Sequence, residues 1–399
     1  MLRAVPGMRS LIDAAEPPAA QSEAEAARYH RAGRILSVAG YLVDVAVLVA
    51  LLFTGWSATL GSFAEHVARP PALALVIYAA AIGLILTAVS LPLEYLSGFW
   101  LEHRYGLSKL TLAAWLKDEV KGLGVGGVLG TLALELVYGS IRAWPHRWWI
   151  VAAGAFTAFF VLMANLAPVL LLPLFFKLKP LDRPSLEQRL RRLAESQGAR
   201  VKGVYEWKLG EKTRKANAAL AGLGNTRRIL LADTLLENFS EDEIEAVLAH
   251  ELGHHVHADI WRGLAVQTAA TFLGLYAIHL ALDRWSVLLG FRGASDFANL
   301  PLLALVALGV SLLLLPAVNA FSRHAERAAD LFALRSIPRP DVFASALERL
   351  ASLNLAERQP HPWIEFVFYS HPSIARRVEF IRRHAADGGP VPAQPAGLT

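Results

Sequence analysis

The chain has 399 residues, of which 54% are hydrophobic and only 18% charged, and its mean hydropathy is +0.38. An average soluble protein is about 45–50% apolar and about 25% charged, so a wholly soluble globular fold is excluded. There is no cysteine, which removes disulfides, thiol nucleophiles and thiolate metal ligands and leaves His, Asp and Glu as metal donors. The formal net charge of +5 is modest for a nucleic-acid binder, and the basic residues form no aromatic–basic repeat, so no nucleic-acid partner is expected.

Residues 1–34 are polar and Arg-bearing, without the short apolar core and cleavage site of a secretory signal. They read as a cytoplasmic N-terminal arm, partly amphipathic. Six apolar stretches then follow at 35–56, 73–97, 122–141, 149–176, 260–282 and 300–321. Each is long enough for the ~20 helical residues that a bilayer requires. The first contains one charge, Asp44, and the fourth none. Lys and Arg in the connections number five in 1–34, one in 57–72, four in 98–121 and two around Arg142 and Arg147. They number fourteen in 177–259, two in 283–299 and ten in 322–399. High and low counts alternate, so both termini and both large polar segments are expected on the cytoplasmic side.

Within 177–259, residues 183–198 carry the pattern of an amphipathic helix, with Pro184 near its start and Gly198 after its end. Short runs at 201–207, 215–222 and 227–233 read as strands, and the LGNT turn at 223–226 suits a hairpin between the last two. Ser240 followed by Glu243 predicts a capping box opening a helix through IEAVLAHELGHHVH, with Ile244, Val247, Leu248 and Leu252 near one face. The segment NAFSRHAERAADLFALRS after the sixth span is strongly helical in pattern, and the Gly/Pro-rich end reads as disordered. The expected fold is therefore mainly α: a polytopic α-helical membrane protein with a small α+β domain. Its expected parts are the arm 1–34, four spans in 35–176, a catalytic segment at 177–259, two spans in 260–321, C-terminal catalytic helices at 322–385 and a tail at 386–399.

The chemistry concentrates at His250-Glu251-Leu252-Gly253-His254. On a helix, positions i and i+4 share a face, so both imidazoles can reach one Zn²⁺ while Glu251 stands beside them to take a proton from a polarised water. The competing reading is a solvated His-rich helix end. A catalytic zinc wants three protein ligands and an open position. Without cysteine, the best third candidate is Glu326, and Asp330 one turn later is placed to hydrogen-bond a ligand imidazole. A charged helix surface would show the same Glu–Asp spacing.

These residues, taken with their surroundings, resemble the type I CAAX prenyl endopeptidase family of integral-membrane zinc metallopeptidases. The resemblance rests on HELGH, on Asn319, Ser322, Arg323, Glu326 and Asp330, and on Ser370-His371-Pro372 with Arg377 following. RYGLSKLTLAAWLKD, PLFFKLKPL and KANAALAGLGNTRRILLADTLL extend it over roughly 95–385. It implies a gluzincin-like zinc site of one Zn²⁺ on His250, His254 and Glu326, with Glu251 as general base and Asp330 as a catalytic acid behind the ligands, a role in which the family sometimes has a proton donor. It further implies His371 at the substrate or its oxyanion, and an edge strand at Asn217 and Ala218 that pairs with a peptide substrate. Arg323, Arg377 and Asn319 are implied as substrate-binding or as holding the site together. His255 and His257 receive no role. Eukaryotic members are described with seven spans around an intramembrane chamber, against six here. The lack of cysteine and the short linkers point to a compact prokaryotic member in a bacterial inner membrane, whose peptide or protein substrates need not be prenylated. A heat-shock-type quality-control membrane metallopeptidase, which has fewer spans, is the neighbouring alternative. A non-enzymatic scaffold or transporter with structural zinc is the remaining one.

Overall fold

The computed structural model describes residues 19–222 and 224–386; the expected arm up to residue 18 and the expected tail from residue 387 lie outside this range. Six helices among the described residues are long and apolar enough to cross a membrane. Helix α1 (Ala19–Phe53) starts well before the first apolar stretch, so the second half of the expected arm is a continuous extension of the first span. After α2 (Trp56–Val67), α3 (Pro71–Glu94) continues through a π-helical segment, Tyr95–Leu101, to Arg104. Helix α4 (Leu112–Ala143) is capped by Thr111, whose hydroxyl accepts from the Ala114 N–H. Helix α5 (Trp148–Leu166) continues through a second π segment, Ala167–Leu171, to Phe175. Pro92 and Pro168 sit at these two departures from α geometry, where a missing N–H breaks the i→i−4 ladder.

The polar segment forms a four-stranded sheet in the order β1–β2–β4–β3. The strands are β1 (Leu178–Pro180), β2 (Val204–Trp207), β3 (Ala218–Ala221) and β4 (Arg228–Ala232). Neighbours β2 and β4 are parallel, and the other two pairs are antiparallel. Helix α6 (Pro184–Ser196) buries Leu186, Leu190 and Ala194 against the sheet. After α7 (Asp233–Asn238), the helix carrying the HELGH residues, α8 (Glu241–Val256), begins with the capping box. The Ser240 hydroxyl accepts from Glu243 N–H at 3.3 Å, and the Ser240 N–H donates to the Glu243 carboxylate at 2.9 Å. The strand β1 and the parallel β2–β4 pairing escape the sequence reading, because three- and four-residue strands carry too little periodicity.

Helix α9 (Asp259–Trp285) returns to the membrane, and α10 (Leu300–Ser336) runs unbroken past the expected end of the sixth span. It therefore carries membrane residues and Glu326 and Asp330 on one rod. Helices α11 (Pro340–Leu353), α12 (Pro362–Phe368) and α13 (Ile374–Ala386) complete the described chain. Helix α8 is buried on two sides. Ile244, Val247, Leu248 and Leu252 pack on the sheet, while Ala246 and Ala249 pack against Ala333, Phe343, Leu347, Val378 and Ile381. Each large side chain so buried contributes about 1.5–3 kcal/mol, which fixes α8 between two walls.

A separate core lies at the opposite end of the membrane helices, where Tyr78, Tyr138, Trp148, Leu282, Phe297 and Leu300 meet. Between these cores the spans pack sparsely: only 6% of the apolar window of α4 and none of that of α5 is buried. The glycines at 122, 124, 126, 127 and 130 have open space where a Cβ would stand, so they are not there for close helix packing.

Candidate metal centre

The site forms where α8 crosses α10. The crossing is close because of Gly253: a Cβ there would stand 2.9 Å from the Ala329 Cα. A methyl at this point meets backbone, which cannot rotate aside, so glycine sets the approach that brings His250 and His254 to Glu326. The His250 Nε2 lies 3.3 Å from Glu326 Oε2, and the His254 Nε2 lies 3.3 Å from Glu326 Oε1. One donor atom from each of the three residues lies within 4.8 Å of the others. Atoms bound at 2.0–2.2 Å around a tetrahedral ion are separated by about 3.4 Å, so this cluster fits one divalent cation. Glu326 is buried, and its two oxygens face the two imidazoles one each, as a carboxylate kept for a metal would.

Each imidazole is oriented from behind. Asp330 Oδ1 lies 2.9 Å from His250 Nδ1, and Asp259 Oδ2 lies 2.9 Å from His254 Nδ1, so both Nε2 atoms face Glu326. Such carboxylate partners fix the tautomer and raise ligand basicity. Asp259 escapes the sequence reading. It reaches back five residues because Ala258 adopts the left-handed conformation, φ 54° and ψ 35°, and turns the chain between α8 and α9. A non-glycine residue at positive φ directly after a HExxH helix is the structural signal, and it is invisible in the sequence.

Arg377 closes the rear of the site. Its guanidinium clamps Asp330 through Nε to Oδ2 at 2.9 Å and Nη2 to Oδ1 at 2.6 Å, and its Nη1 lies 3.7 Å from Glu326. Its charge is thus spent on buried carboxylates. Burial alone would lower the pKa of His250, but the Asp330 and Glu326 carboxylates, accepting from its ring N–H groups, outweigh it and push that pKa up to about 9. The His254 pKa is also raised: burial opposes protonation, and Glu326 and Asp259 overcome it.

A cavity of about 500 Å³ opens on the cluster. His250, Glu251, His254 and Glu326 line it together with Asn217, Ala218, His371 and Arg377. His371 is exposed, with Nε2 3.1 Å from Glu326 Oε1 and Nδ1 2.9 Å from the Ser370 hydroxyl. Asn217 leads into β3, one of the two edge strands of the sheet. Arg323 and Asn319 do not line the cavity. Arg323 donates to the carbonyls of Glu365 and Tyr369 at 3.2 and 2.6 Å, and Asn319 donates to the Val367 carbonyl at 2.7 Å. Both hold α12 and the segment leading to His371. His255 lies 3.4 Å from Arg227, and His257 packs its ring against Phe332, both away from the cluster.

The cavity has one wall that the sequence hides, the extension of α1. His30 lines it and contacts the Leu355 carbonyl at 3.0 Å. Arg34 donates to Glu357 at 2.6 Å, and Glu357 also accepts from the Tyr369 hydroxyl at 2.8 Å. The apolar pattern of the arm is too weak to reveal these long-range contacts.

Six membrane-spanning helices, an inward-facing two-histidine, one-carboxylate cluster and a glutamate beside it define a polytopic membrane metallopeptidase. Comparison with known proteins places it more closely. Residues 180–385 match peptidase family M48, and residues 16–177 match the CAAX prenyl protease N-terminal region described by five membrane helices. The chain belongs to peptidase family M48. It is 30% identical to the CAAX prenyl protease 1 homolog of Arabidopsis thaliana, over 73% of this chain and 69% of that one. It is 29% identical to the uncharacterized metalloprotease YhfN of Bacillus subtilis, over 89% of this chain and 84% of that one. The crystal structure of S. mikatae Ste24p shares the fold, with a TM-score of 0.82 and 23% identity, covering 92% of each chain.

Proposed function

We propose that the cation is Zn²⁺ on His250, His254 and Glu326, and that the protein hydrolyses peptide bonds in extended, membrane-associated substrates of the C-terminal CAAX type, prenylated or not. The carrying observation is that the three donor atoms, Glu251 and the edge strand β3 share one cavity. The donor set of two imidazoles and a carboxylate is that of a catalytic zinc with an open position. Held by His250, His254 and Glu326, zinc would supply Lewis-acid chemistry to the scissile carbonyl and to a water at the site.

The side chains supply the rest. The Glu251 carboxylate accepts the proton of the attacking water and returns it to the leaving amine. His371 Nε2 donates to the oxygen on which charge develops. Asp330 and Asp259 hold the imidazoles through Nδ1, and β3 aligns the peptide by strand addition. The alternating Lys/Arg counts favour a site at the cytoplasmic face, and the Bacillus relative supports a bacterial inner membrane.

The test is hydrolysis of a farnesylated CAAX peptide and its unprenylated counterpart by detergent-purified protein, beside Glu251→Gln. Wild-type cleavage, with loss of at least about a thousandfold in the variant while zinc stays bound, is the expected result. Undiminished turnover by Glu251→Gln overturns the assignment of the base. Cleavage of the unprenylated peptide alone would remove the prenyl group from recognition.

A further inference from the structure

An edge strand accepts a peptide wherever its outward N–H and C=O groups are free. Just before β3, the Asn217 carbonyl accepts from the Ala232 N–H at 3.0 Å, facing inward to β4. Alternation then turns the backbone groups of Ala216, Ala218 and Leu220 outward. At Ala216 they are already taken. The Ala216 N–H donates to Asn354 Oδ1 at 2.8 Å, and Asn354 Nδ2 donates to the Ala216 carbonyl at 3.1 Å. Only one orientation of the amide satisfies both bonds. Together they reproduce what an antiparallel partner residue makes with the strand.

Resting on the peptidase reading above, we infer that Asn354 is a specificity-determining residue that ends strand addition at Ala216. An incoming peptide pairs with Ala218 and Leu220 only. Because an antiparallel peptide runs opposite to β3, the residue that would face Ala216 lies on the C-terminal side of the paired segment. There the side-chain amide stands in for the substrate, and the substrate backbone must leave the sheet. Asn354 is held for this role. It ends α11, its N–H donates to the Leu350 carbonyl at 3.0 Å, and the next residue, Leu355, is fixed at φ 50° with its carbonyl against His30. Asn354 and Ala216 both line the cavity that holds the metal cluster.

The test reads peptide binding rather than turnover. A fluorescein-labelled CAAX peptide about a dozen residues long is N-methylated at one backbone amide at a time, and its binding to full-length Glu251→Gln protein is followed by fluorescence polarisation. Two sensitive amides, two positions apart, are expected to lose affinity by at least about fivefold. The amide two positions further toward the C-terminus is expected to change by less than about twofold. Adding Asn354→Ala should make that third amide sensitive. A third sensitive amide with Asn354 in place overturns the inference, as does its continued insensitivity after Asn354→Ala while the first two respond. The scan with Asn354 present decides the matter if the double variant does not fold. Binding with the expected pattern but no cleavage by the wild type would sink the hydrolase reading alone; no peptide binding would sink both.

Discussion

At the residue scale, the site is defined by pairs. Each imidazole has one nitrogen facing Glu326 and the other on its own aspartate, so removing an aspartate frees a ring rather than deleting one of the proposed ligands. Asp259→Asn is expected to weaken metal binding by about 10–100-fold without unfolding the chain, measured by competition with a fluorescent chelator. Wild-type affinity after Asp259→Asn would mean that the contact does not orient His254. Protons compete at the same place. With its pKa at about 9 rather than 6.5, His250 in the metal-free protein is protonated at neutral pH. Protonation therefore stabilises the metal-free fold fully below about pH 6.5, and the contribution is lost as pH rises through about 9. A metal held by His250 as proposed needs the neutral ring, so apparent affinity should then rise by about tenfold per pH unit from 7 to 9 and level off above. Calorimetry in buffers of different ionisation enthalpy should detect the proton released on loading. The shared face of His250 and His254 was legible in the sequence because i, i+4 geometry is local. Asp259 was not, since nothing in its neighbours announces the left-handed turn at Ala258.

At the element scale, the placement of α8 depends on its start and on its closest approach. Its capping box unites Ser240 and Glu243, and Ser345 donates to the same carboxylate at 2.8 Å. Burial works against the Glu243 charge, but these donors hold its carboxyl below the usual range. Glu243→Ala should lower stability by about 1–2 kcal/mol, read as a shift in the unfolding midpoint. That share of stability is present above the usual carboxylate pKa and fades in acid. Gly253→Ala tests the crossing. Its Cβ meets the Ala329 backbone, so α8 and α10 must separate, and metal binding should weaken by more than about tenfold even though alanine is the better helix former. Unchanged affinity would show that the crossing tolerates a methyl. The capped helix and the strands 215–222 and 227–233 were readable in outline from local rules. Helix over 319–336 was legible too; that it joins the sixth span as one unbroken rod was not, because the change from apolar to charged residues at 321 marks the end of the membrane stretch and says nothing of the helix axis. Strand β1 was missed because its three residues gain meaning only from pairing with β2.

At the scale of the whole molecule, orientation is the main expectation, and the cysteine-free sequence offers a clean background to test it. Single cysteines replacing the exposed residues Arg200 and Arg69 should be labelled by a membrane-impermeant maleimide from opposite sides, Arg200 from the cytoplasm. Labelling of both from one side would refute the topology. The number of spans was legible from hydropathy. That the extension of α1 forms a wall of the active-site cavity was not, because only folding brings His30 and Arg34 to Leu355 and Glu357. The unbroken α10 has its own consequence. Each residue of a helix advances about 1.5 Å and turns about 100°, so one residue inserted between the membrane stretch and Glu326 would swing the carboxylate away from both imidazoles. A bilayer too thick or too thin tilts such a rod and displaces the same carboxylate. If Glu326 holds the metal as proposed, metal affinity measured in bilayers of different lipid chain length is expected to vary, and the surrounding lipid would then share in setting the geometry of the site.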